Sequence, residues 1–564
     1  MKNFQAIRFV SVLLIGAFLS VTIATDGSTG SAFAQKKSSS KKKSSKKRSS
    51  KKRKTRKKPP PPPLKLPAMK SHKDKMRYIG LIKAQFAPLS RVSKSINYSP
   101  DDLDDALIFR IGLPRYKYAK QIDDERYIRR ATLDLTGKVP SSKAVKDFVA
   151  GTDKRKRFQL VDRLLSSDDY ARKWAHYWMN VIFYKSTTNR RIIDKKVMED
   201  WFFAEFKKGT GWDVIVANLV AAVPGRNKKK DVKNKVTYWG QDFGPNNFAL
   251  AMNRDAEVMA SETARIFMGI QIQCAQCHDH PFDDWKREQF HEMAAFFKQG
   301  NYYMTDADNP EKKIKMEPRF LLGEKPDPRL KPHQRRVAMA AYLVYNPDNY
   351  WFARAYVNRV WSELMGDGFY SVDSLGPDGE VVHTEIINRM AAVFRYQAFD
   401  PKWAFRLIMN SRTYQRDIRS IDDDAELFTA VRPSRLRPRE ISASVIKLTG
   451  RNAGLRRAVE KTFDVDPSIP QFDLEGSIQQ ALLMMNNGAL TSWLANSKLK
   501  KELVKIKSER QMIDELYLGI LARKATPKEM SRARAYLKRI KNRTAAVDDL
   551  MWVLVNSTEF ITKR

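Results

Sequence analysis

The chain has 564 residues, of which 42% are hydrophobic and 30% are charged, and its formal net charge is +41 at pH 7. This composition is typical of a globular protein, and the length suffices for roughly two to four domains. The chain has only two cysteines, which excludes a zinc site made of four cysteines. After the N-terminal region it has no apolar run of about twenty residues, so we expect no transmembrane segment in the mature protein.

The first 34 residues are predicted to be a secretory signal peptide. Lys2 and Arg8 precede an apolar run over residues 9–24, and Ala32-Phe33-Ala34 follows as a cleavage site with small residues at both ends. No Arg-Arg pair precedes the run and no cysteine follows it, which argues against a twin-arginine signal and a lipid anchor. We therefore expect an exported protein that is periplasmic, at the cell surface or extracellular.

Residues 35–67 are predicted to be a disordered linker. Fifteen Lys and Arg residues and no acid lie within 36–58, so +26 of the net charge remains in the rest of the chain. Five prolines at 59–63 then favour an extended spacer. The basic segment suits binding of anionic polysaccharide or another cell-surface polyanion, or it is a solvated linker. Nucleic acid is the less expected partner, because no aromatic residue is interleaved with the charges.

The remaining chain has helical patterns throughout. Ser99 is predicted to cap a helix that starts at Pro100, and Gly137 is predicted to end another. Thr526 is expected to cap a helix with Pro527 at its first position, after a helix that ends near Lys524. The patterns predict a mainly α protein in which two packed helical domains, 99–300 and 332–562, follow the linker.

The clearest chemical motif is Cys274-Ala275-Gln276-Cys277-His278. A C-x-x-C-H run is the attachment signature of haem c, in which the two thiols form thioethers and the histidine binds the iron. Two alternatives remain open at this point. The cysteines are a structural disulfide or inert, without any cofactor, or they bind zinc or iron together with His278 and His280.

Apolar residues around the motif predict a helix, a tight turn and a second helix. The first helix is expected to run through Ile270 and to place Cys274 and Cys277 on its apolar stripe, until Pro281 stops it. Asp283 and Asp284 are expected in the first turn of the second helix. If haem is bound, the candidate sixth ligands are His280, His291, Met268 and Met293.

Several long runs resemble a known pair of domains. The runs at 129–137, 160–165, 174–178 and 274–282 resemble the planctomycete-type cytochrome-like secreted domain, a family of unknown function. Those at 346–361, 407–415, 485–488 and 550–560 resemble its usual partner, the planctomycete-type secreted domain, also of unknown function. The resemblance implies a cytochrome-like protein. Two departures are a missing N-terminal haem domain and the position of His176, one place earlier than in relatives.

In the second half, residues at helical spacing form its most distinctive surface: Trp351, Arg354, Asn358, Arg359 and Trp361. Arg354 and Asn358 are four residues apart, which suits either a bound carboxylate or sulfate or a buried hydrogen-bond network; the network is the favoured interpretation. Nothing in the sequence brings Asp373 and Asp378, or His383 and Glu385, into one pocket.

Three functional hypotheses follow from the sequence. The first is an exported c-type cytochrome-like protein with a redox partner. The second is a non-enzymatic surface or matrix protein that binds anionic polysaccharide. The third is an enzyme acting on extracellular glycans, but the sequence has no nucleophile elbow, phosphate loop or H-E-x-x-H site, so no catalytic residue can be assigned.

Overall fold

The computed structural model describes the following residues: 97–184, 193–224, 228–230, 236–238, 243–281, 283–374, 381–420, 427–450, 454–563, and single positions Asp74, Arg77 and Ile79. The predicted signal peptide (1–34) and linker (35–67) lie outside them.

Helices dominate the described chain, which confirms the predicted mainly α class. In chain order they are α1 Pro100–Ile111, α2 Asp124–Thr136, α3 Ser142–Ala150, α4 Lys156–Leu165, α5 Asp168–Phe183, α6 Lys195–Lys208, α7 Trp212–Ala221, α8 Asn246–Ala251, α9 Ala256–Met268, α10 Arg287–Ala295, α11 Pro332–Tyr345, α12 Tyr350–Met365, α13 Thr384–Tyr396, α14 Pro401–Met409, α15 Pro438–Thr449, α16 Leu455–Thr462, α17 Ile478–Asn486, α18 Gly488–Ala495, α19 Lys498–Leu503, α20 Glu509–Leu521, α21 Pro527–Arg539 and α22 Arg543–Val555. Within the described ranges, none of these helices has the length and apolar character needed to cross a membrane.

The strands are short and pair in antiparallel twos. They are β1 Lys228–Lys230 with β2 Val236–Tyr238, β3 Tyr302–Thr305 with β4 Lys313–Met316, and β5 Ser434–Arg435 with β6 Thr562–Lys563. Short 3-10 helices lie at Arg115–Lys117, Gln273–Gln276 and Gln471–Asp473.

Local capping signals place several helix ends where the sequence predicts them. The Ser99 hydroxyl accepts a hydrogen bond from the Asp102 amide at 3.1 Å, with Pro100 at the first helical position. Helix α2 ends at Gly137, whose φ of +67° is a left-handed conformation that glycine adopts without strain. Thr526 caps α21 in a capping box with Glu529.

Helix α20 ends earlier than predicted, at Leu521 and not near Lys524. Ala522 takes the left-handed conformation with φ +61° and closes the helix. The next side chain, Arg523, is held by Glu559 (Nε to Oε1, 2.7 Å) and by Glu529 (Nη1 to Oε2, 2.8 Å). These ion pairs hold the chain that follows α20 against α21 and against the segment after α22.

A continuous aromatic core joins helices from both predicted domains. The ring centroids of Trp178 in α5 and Trp212 in α7 are 4.2 Å apart, and those of Trp212 and Tyr356 in α12 are 5.1 Å apart. Tyr356 in turn stacks on Phe394 in α13 at 4.8 Å. Each fully buried large apolar side chain stabilises the fold by roughly 1.5–3 kcal/mol. The first and second halves of the chain therefore depend on shared packing, and the boundaries 99–300 and 332–562 stay a prediction.

A second core lies between α2 and the C-terminal helices. Leu133 packs with residues such as Val445 and Leu516, while the other face of α2 contributes to the aromatic core. Beside it, the Lys563 ammonium lies 2.7 Å from the Asp134 carboxylate, and both side chains are buried. This ion pair fixes the C-terminal strand β6 against α2.

The prediction that five residues of α12 form a surface is wrong, because all five are buried. The Asn358 amide donates to the Tyr370 carbonyl at 2.9 Å and accepts from the Phe369 amide at 2.7 Å, which confirms the buried hydrogen bonds for Asn358. The Arg354 guanidinium instead lies over the rings of Tyr350 and Tyr370. Arg359 pairs with the buried carboxylate of Asp373. These contacts give the helix a structural role.

Candidate functional site at the cysteine motif

The helix before the motif ends five residues short of Cys274. Gly269 has a φ of +71° and its amide donates to the Arg265 carbonyl, which closes α9. A Cβ at this position would lie 3.5 Å from the Ala355 methyl group, so α12 also crosses closely here. The predicted helix through both cysteines is therefore wrong. The apolar spacing continues through the buried Ile270, but a left-handed glycine stops the helix first.

The motif instead forms a tight 3-10 turn with both thiols on its outer side. In a 3-10 helix, side chains at i and i+3 lie nearly above one another, which is the spacing of Cys274 and Cys277. Both cysteines are exposed and free, so no disulfide joins them. Ala275, between them, is fully buried. The turn is thus anchored on one side and offers two thiols to solvent on the other.

A buried polar network holds this turn to α9, α10 and β3. The Gln276 carbonyl accepts from Nε2 of His291 at 3.0 Å, and the Gln276 amide group donates to Glu257 at 2.5 Å. The Tyr302 hydroxyl lies 2.7 Å from both Nδ1 of His291 and Oε1 of Glu257. Burial lowers the pKa of His291 and raises that of Tyr302. The single hydroxyl proton of Tyr302 is donated to only one of these two partners at a time. Burial favours the neutral imidazole of His291, whose Nε2–H positions the backbone of the motif.

His278 is exposed and has one ring nitrogen engaged. Its Nδ1 lies 2.6 Å from the Asp279 carbonyl oxygen and donates to it, which leaves the lone pair on Nε2. This is how a metal-binding histidine is usually oriented, by a hydrogen bond from its other nitrogen. His280 differs from His278. Its ring is largely covered, and Nδ1 lies 3.7 Å from Asp283.

Asp279, and not Asp283 or Asp284, occupies the start of α10. Its carboxylate accepts from the Arg287 amide at 3.0 Å and lies 3.1 Å from the Lys286 ammonium. These contacts, the backbone hydrogen bond first, lower the pKa of Asp279. A carboxylate at a helix N-terminus is favourable, but here it comes from eight residues upstream. The expected position of Asp283 and Asp284 in the first turn is wrong.

The described residues fit attachment of haem c in their donor chemistry. Cys274 and Cys277 supply two free thiols on one side of a turn, and His278 supplies an accessible ring nitrogen. The candidate sixth ligands are less suitable. Met268 and Met293 are fully buried, and both nitrogens of His291 are hydrogen-bonded.

The zinc or iron alternative needs the same thiols with His278 and His280. Across the described ranges, no group of three or more Cys, His, Asp and Glu side chains is arranged to hold a metal ion. The exposed His278 and the covered His280 thus do not join the thiols in such a group. A zinc or iron site stays a prediction.

A second site, which we call the basic cleft, was not predicted. It has a volume of about 670 Å³ and lies between α5 and α15, with lining from the α2–α3 turn, α6 and α16. His176, from one of the runs that carry the family resemblance, lines it: Nδ1 lies 3.3 Å from Glu199, and Asn180 contacts Nε2 at 2.9 Å. No sequence pattern predicts the cleft, because its walls lie far apart in the chain.

Two regions of this mainly helical chain match known family models. Residues 103–302 match the PSCyt2 family model, a protein of unknown function (DUF1549). Residues 335–475 match the PSD1 family model, a protein of unknown function (DUF1553). The chain thus carries two domains of unknown function in the order expected of the planctomycete-type pair. No curated protein and no solved structure matches it.

Proposed function

We propose that the protein is an exported c-type cytochrome-like protein that binds haem covalently through Cys274 and Cys277. His278 would bind the haem iron. The observation that carries the proposal is the anchored 3-10 turn, with two free thiols on its exposed side and a neighbouring histidine whose Nε2 remains accessible. Bound haem would supply a one-electron redox centre at this surface.

The surrounding residues would hold the attachment turn in place. The burial of Ala275 and the hydrogen bond from His291 to Gln276 fix the backbone between the two thiols. The hydrogen bond to Asp279 fixes the His278 ring. Because both cysteines are exposed, the residues that would hold the group are accessible from solvent. This arrangement suits electron exchange with a redox partner.

The test is expression in a host that matures c-type haem. We expect a pyridine haemochrome spectrum from the purified protein and a covalent haem mass that is lost in the Cys274→Ala, Cys277→Ala double variant. His278→Ala is expected to keep the covalent mass but to change the spectrum of the iron. His333→Ala is the matched control, since His333 lies on α11, outside the motif turn. Haem that survives removal of both thiols would contradict the proposal.

A second candidate is a surface protein that binds anionic polysaccharide through residues 36–58. The fifteen basic residues of this segment support it. Such binding should weaken steeply with salt. Equal retention on a sulfated polymer with and without residues 36–58 would rule out this segment as the binder.

A further inference from the structure

Two antiparallel helices, α5 and α15, form the long walls of the basic cleft. Near the middle of the cleft, Lys173 of α5 lies 2.6 Å from Glu440, in the first turn of α15. Lys447, in the last turn of α15, interacts with Asp169, in the first turn of α5. These contacts give the cleft two distinct ends. One lies at the start of α5 and the other at its C-terminus.

The first end carries an excess of positive charge. Lys138 pairs with Asp169 at 2.5 Å, Lys447 donates to the backbone carbonyl of Val139, and the Arg172 guanidinium lies over a neighbouring aromatic ring. In the described part of the cleft, this end thus has three cations for one lining carboxylate. Burial and the adjacent Lys138 lower the pKa of Lys447, which Asp169 raises only in part. A bound anion would relieve this repulsion.

The cations in the middle of the cleft are compensated by acids. Arg437 pairs with Glu363, and Arg456 lies 2.7 Å from Glu460. Arg439 lies 3.3 Å from Glu460 and makes a similar contact with Glu199. The uncompensated charge is therefore localised at the end formed by Lys138, Arg172 and Lys447.

The opposite end of the cleft is mainly apolar. The following residues line it: Phe183, Tyr184, Ile193, Val465 and Pro467. The charged residues at this end are Lys195, whose ammonium lies over the Phe183 ring, and Asp464, whose carboxylate has the opposite charge. Burial raises the pKa of Tyr184, and the nearby Asp464 adds to this effect. A negatively charged group is thus disfavoured beside Asp464. From Arg172 to Phe183, α5 rises by roughly 16 Å, at about 1.5 Å per residue.

We infer that the basic cleft binds an elongated organic anion with an apolar body. Its acidic head, a carboxylate, sulfonate or phosphate ester, would lie among Lys138, Arg172 and Lys447. Its body would extend along α5 to the apolar end at Phe183 and Val465. The volume of about 670 Å³ falls in the range of roughly 300–1,000 Å³ that small-molecule pockets occupy. The residues that line the cleft include none of the cysteine motif.

Two fluorescent probes with the same ring body separate the contributions of head and body. One is 8-anilinonaphthalene-1-sulfonate, and the other is N-phenyl-1-naphthylamine, which lacks the sulfonate. We expect the sulfonate to bind at least about tenfold more tightly to the full chain, since hydrogen bonds to charged groups are the stronger ones. The Lys138→Gln, Lys447→Gln double variant should lose that advantage while its affinity for the neutral probe is unchanged. Val465→Asp should weaken both probes.

Three controls keep the test specific. Lys528→Gln removes an exposed lysine on α21, away from the cleft, and should bind like the unaltered chain. Circular dichroism establishes that each variant is folded, and a chain lacking residues 36–58 should bind the sulfonate as before. Equal affinity of the two probes, or unchanged sulfonate binding in the double lysine variant, would overturn the inference.

Competition distinguishes two sources of the ligand. Monomeric dodecanoate that displaces the sulfonate probe would indicate a free amphiphile. Displacement by phosphatidylglycerol vesicles alone would indicate a membrane lipid. Failure of both to displace the probe would contradict an amphipathic anion as the ligand.

Discussion

Removing the Tyr302 hydroxyl should loosen the cysteine motif without disturbing the rest of the fold. This hydroxyl contacts His291 and Glu257 at 2.7 Å each, and His291 holds the Gln276 carbonyl inside the motif. A hydrogen bond between neutral groups contributes about 1 kcal/mol and one to a charged group about 1.5–3 kcal/mol. Because the hydroxyl has one proton, it donates to only one of these partners, and Tyr302→Phe should lower the opening free energy of the turn by about 1–3 kcal/mol.

Hydrogen exchange measures this local effect directly. A loss of about 1–3 kcal/mol corresponds to exchange that is roughly 5-fold to 150-fold faster for protected amides in 272–291, such as that of Ala275, which donates to Ile272. The matched control is Tyr303→Phe on the same strand, because Tyr303 is 49% exposed and its hydroxyl has only a 3.5 Å contact. Exchange rates that agree within about threefold between Tyr302→Phe and Tyr303→Phe would refute the role given to the network.

Three further predictions address the same framework. Burial lowers the pKa of His291 in the folded protein. The stability that His291 contributes is therefore present above the unfolded pKa of about 6.5 and is lost as the pH falls from that value toward the folded pKa. In urea unfolding from pH 7.5 to 5, His291→Gln should flatten this pH dependence. Lys563→Met leaves the Asp134 carboxylate buried without its ion pair and should destabilise the fold by about 3–5 kcal/mol, whereas exposed Lys524→Met should change the unfolding midpoint little. Gly269→Ala places a Cβ at φ +71° and should lower the free energy of unfolding by about 1–2 kcal/mol. In thermal unfolding the loss should exceed that of Gly488→Ala, where φ is outside the left-handed range and the space is open.

Helix ends were predictable where the signal is local. The caps at Ser99 and Thr526 and the stop at Gly137 each depend on residues within four positions of one another. The mainly α class followed from the same periodicity. These features need no knowledge of the tertiary structure.

The motif turn was less predictable, because two local signals disagree there. The apolar spacing continues to Ile270, whereas Gly269 adopts a left-handed conformation that ends the helix. The residue that supplies the carboxylate at the start of α10, Asp279, reaches back over the turn and lies outside any short capping pattern. Sequence spacing alone favoured Asp283 and Asp284.

The basic cleft was beyond sequence analysis for a different reason. Lys138 and Lys447 meet there although they are distant in the chain, and each taken alone is an ordinary lysine near a helix end. The burial of Arg354 and Arg359 in α12 was equally hard to predict, because arginine is charged and is found more often at protein surfaces. Only long-range packing shows which of these charges are compensated.

The most direct test of the proposed function is the intact mass of the mature protein from a haem-maturing host, measured after denaturation. We predict an increase by the mass of one haem, absent from the Cys274→Ala, Cys277→Ala variant and retained in His278→Ala. An unmodified mass from a host that correctly matures a known c-type cytochrome in the same cells would contradict the account.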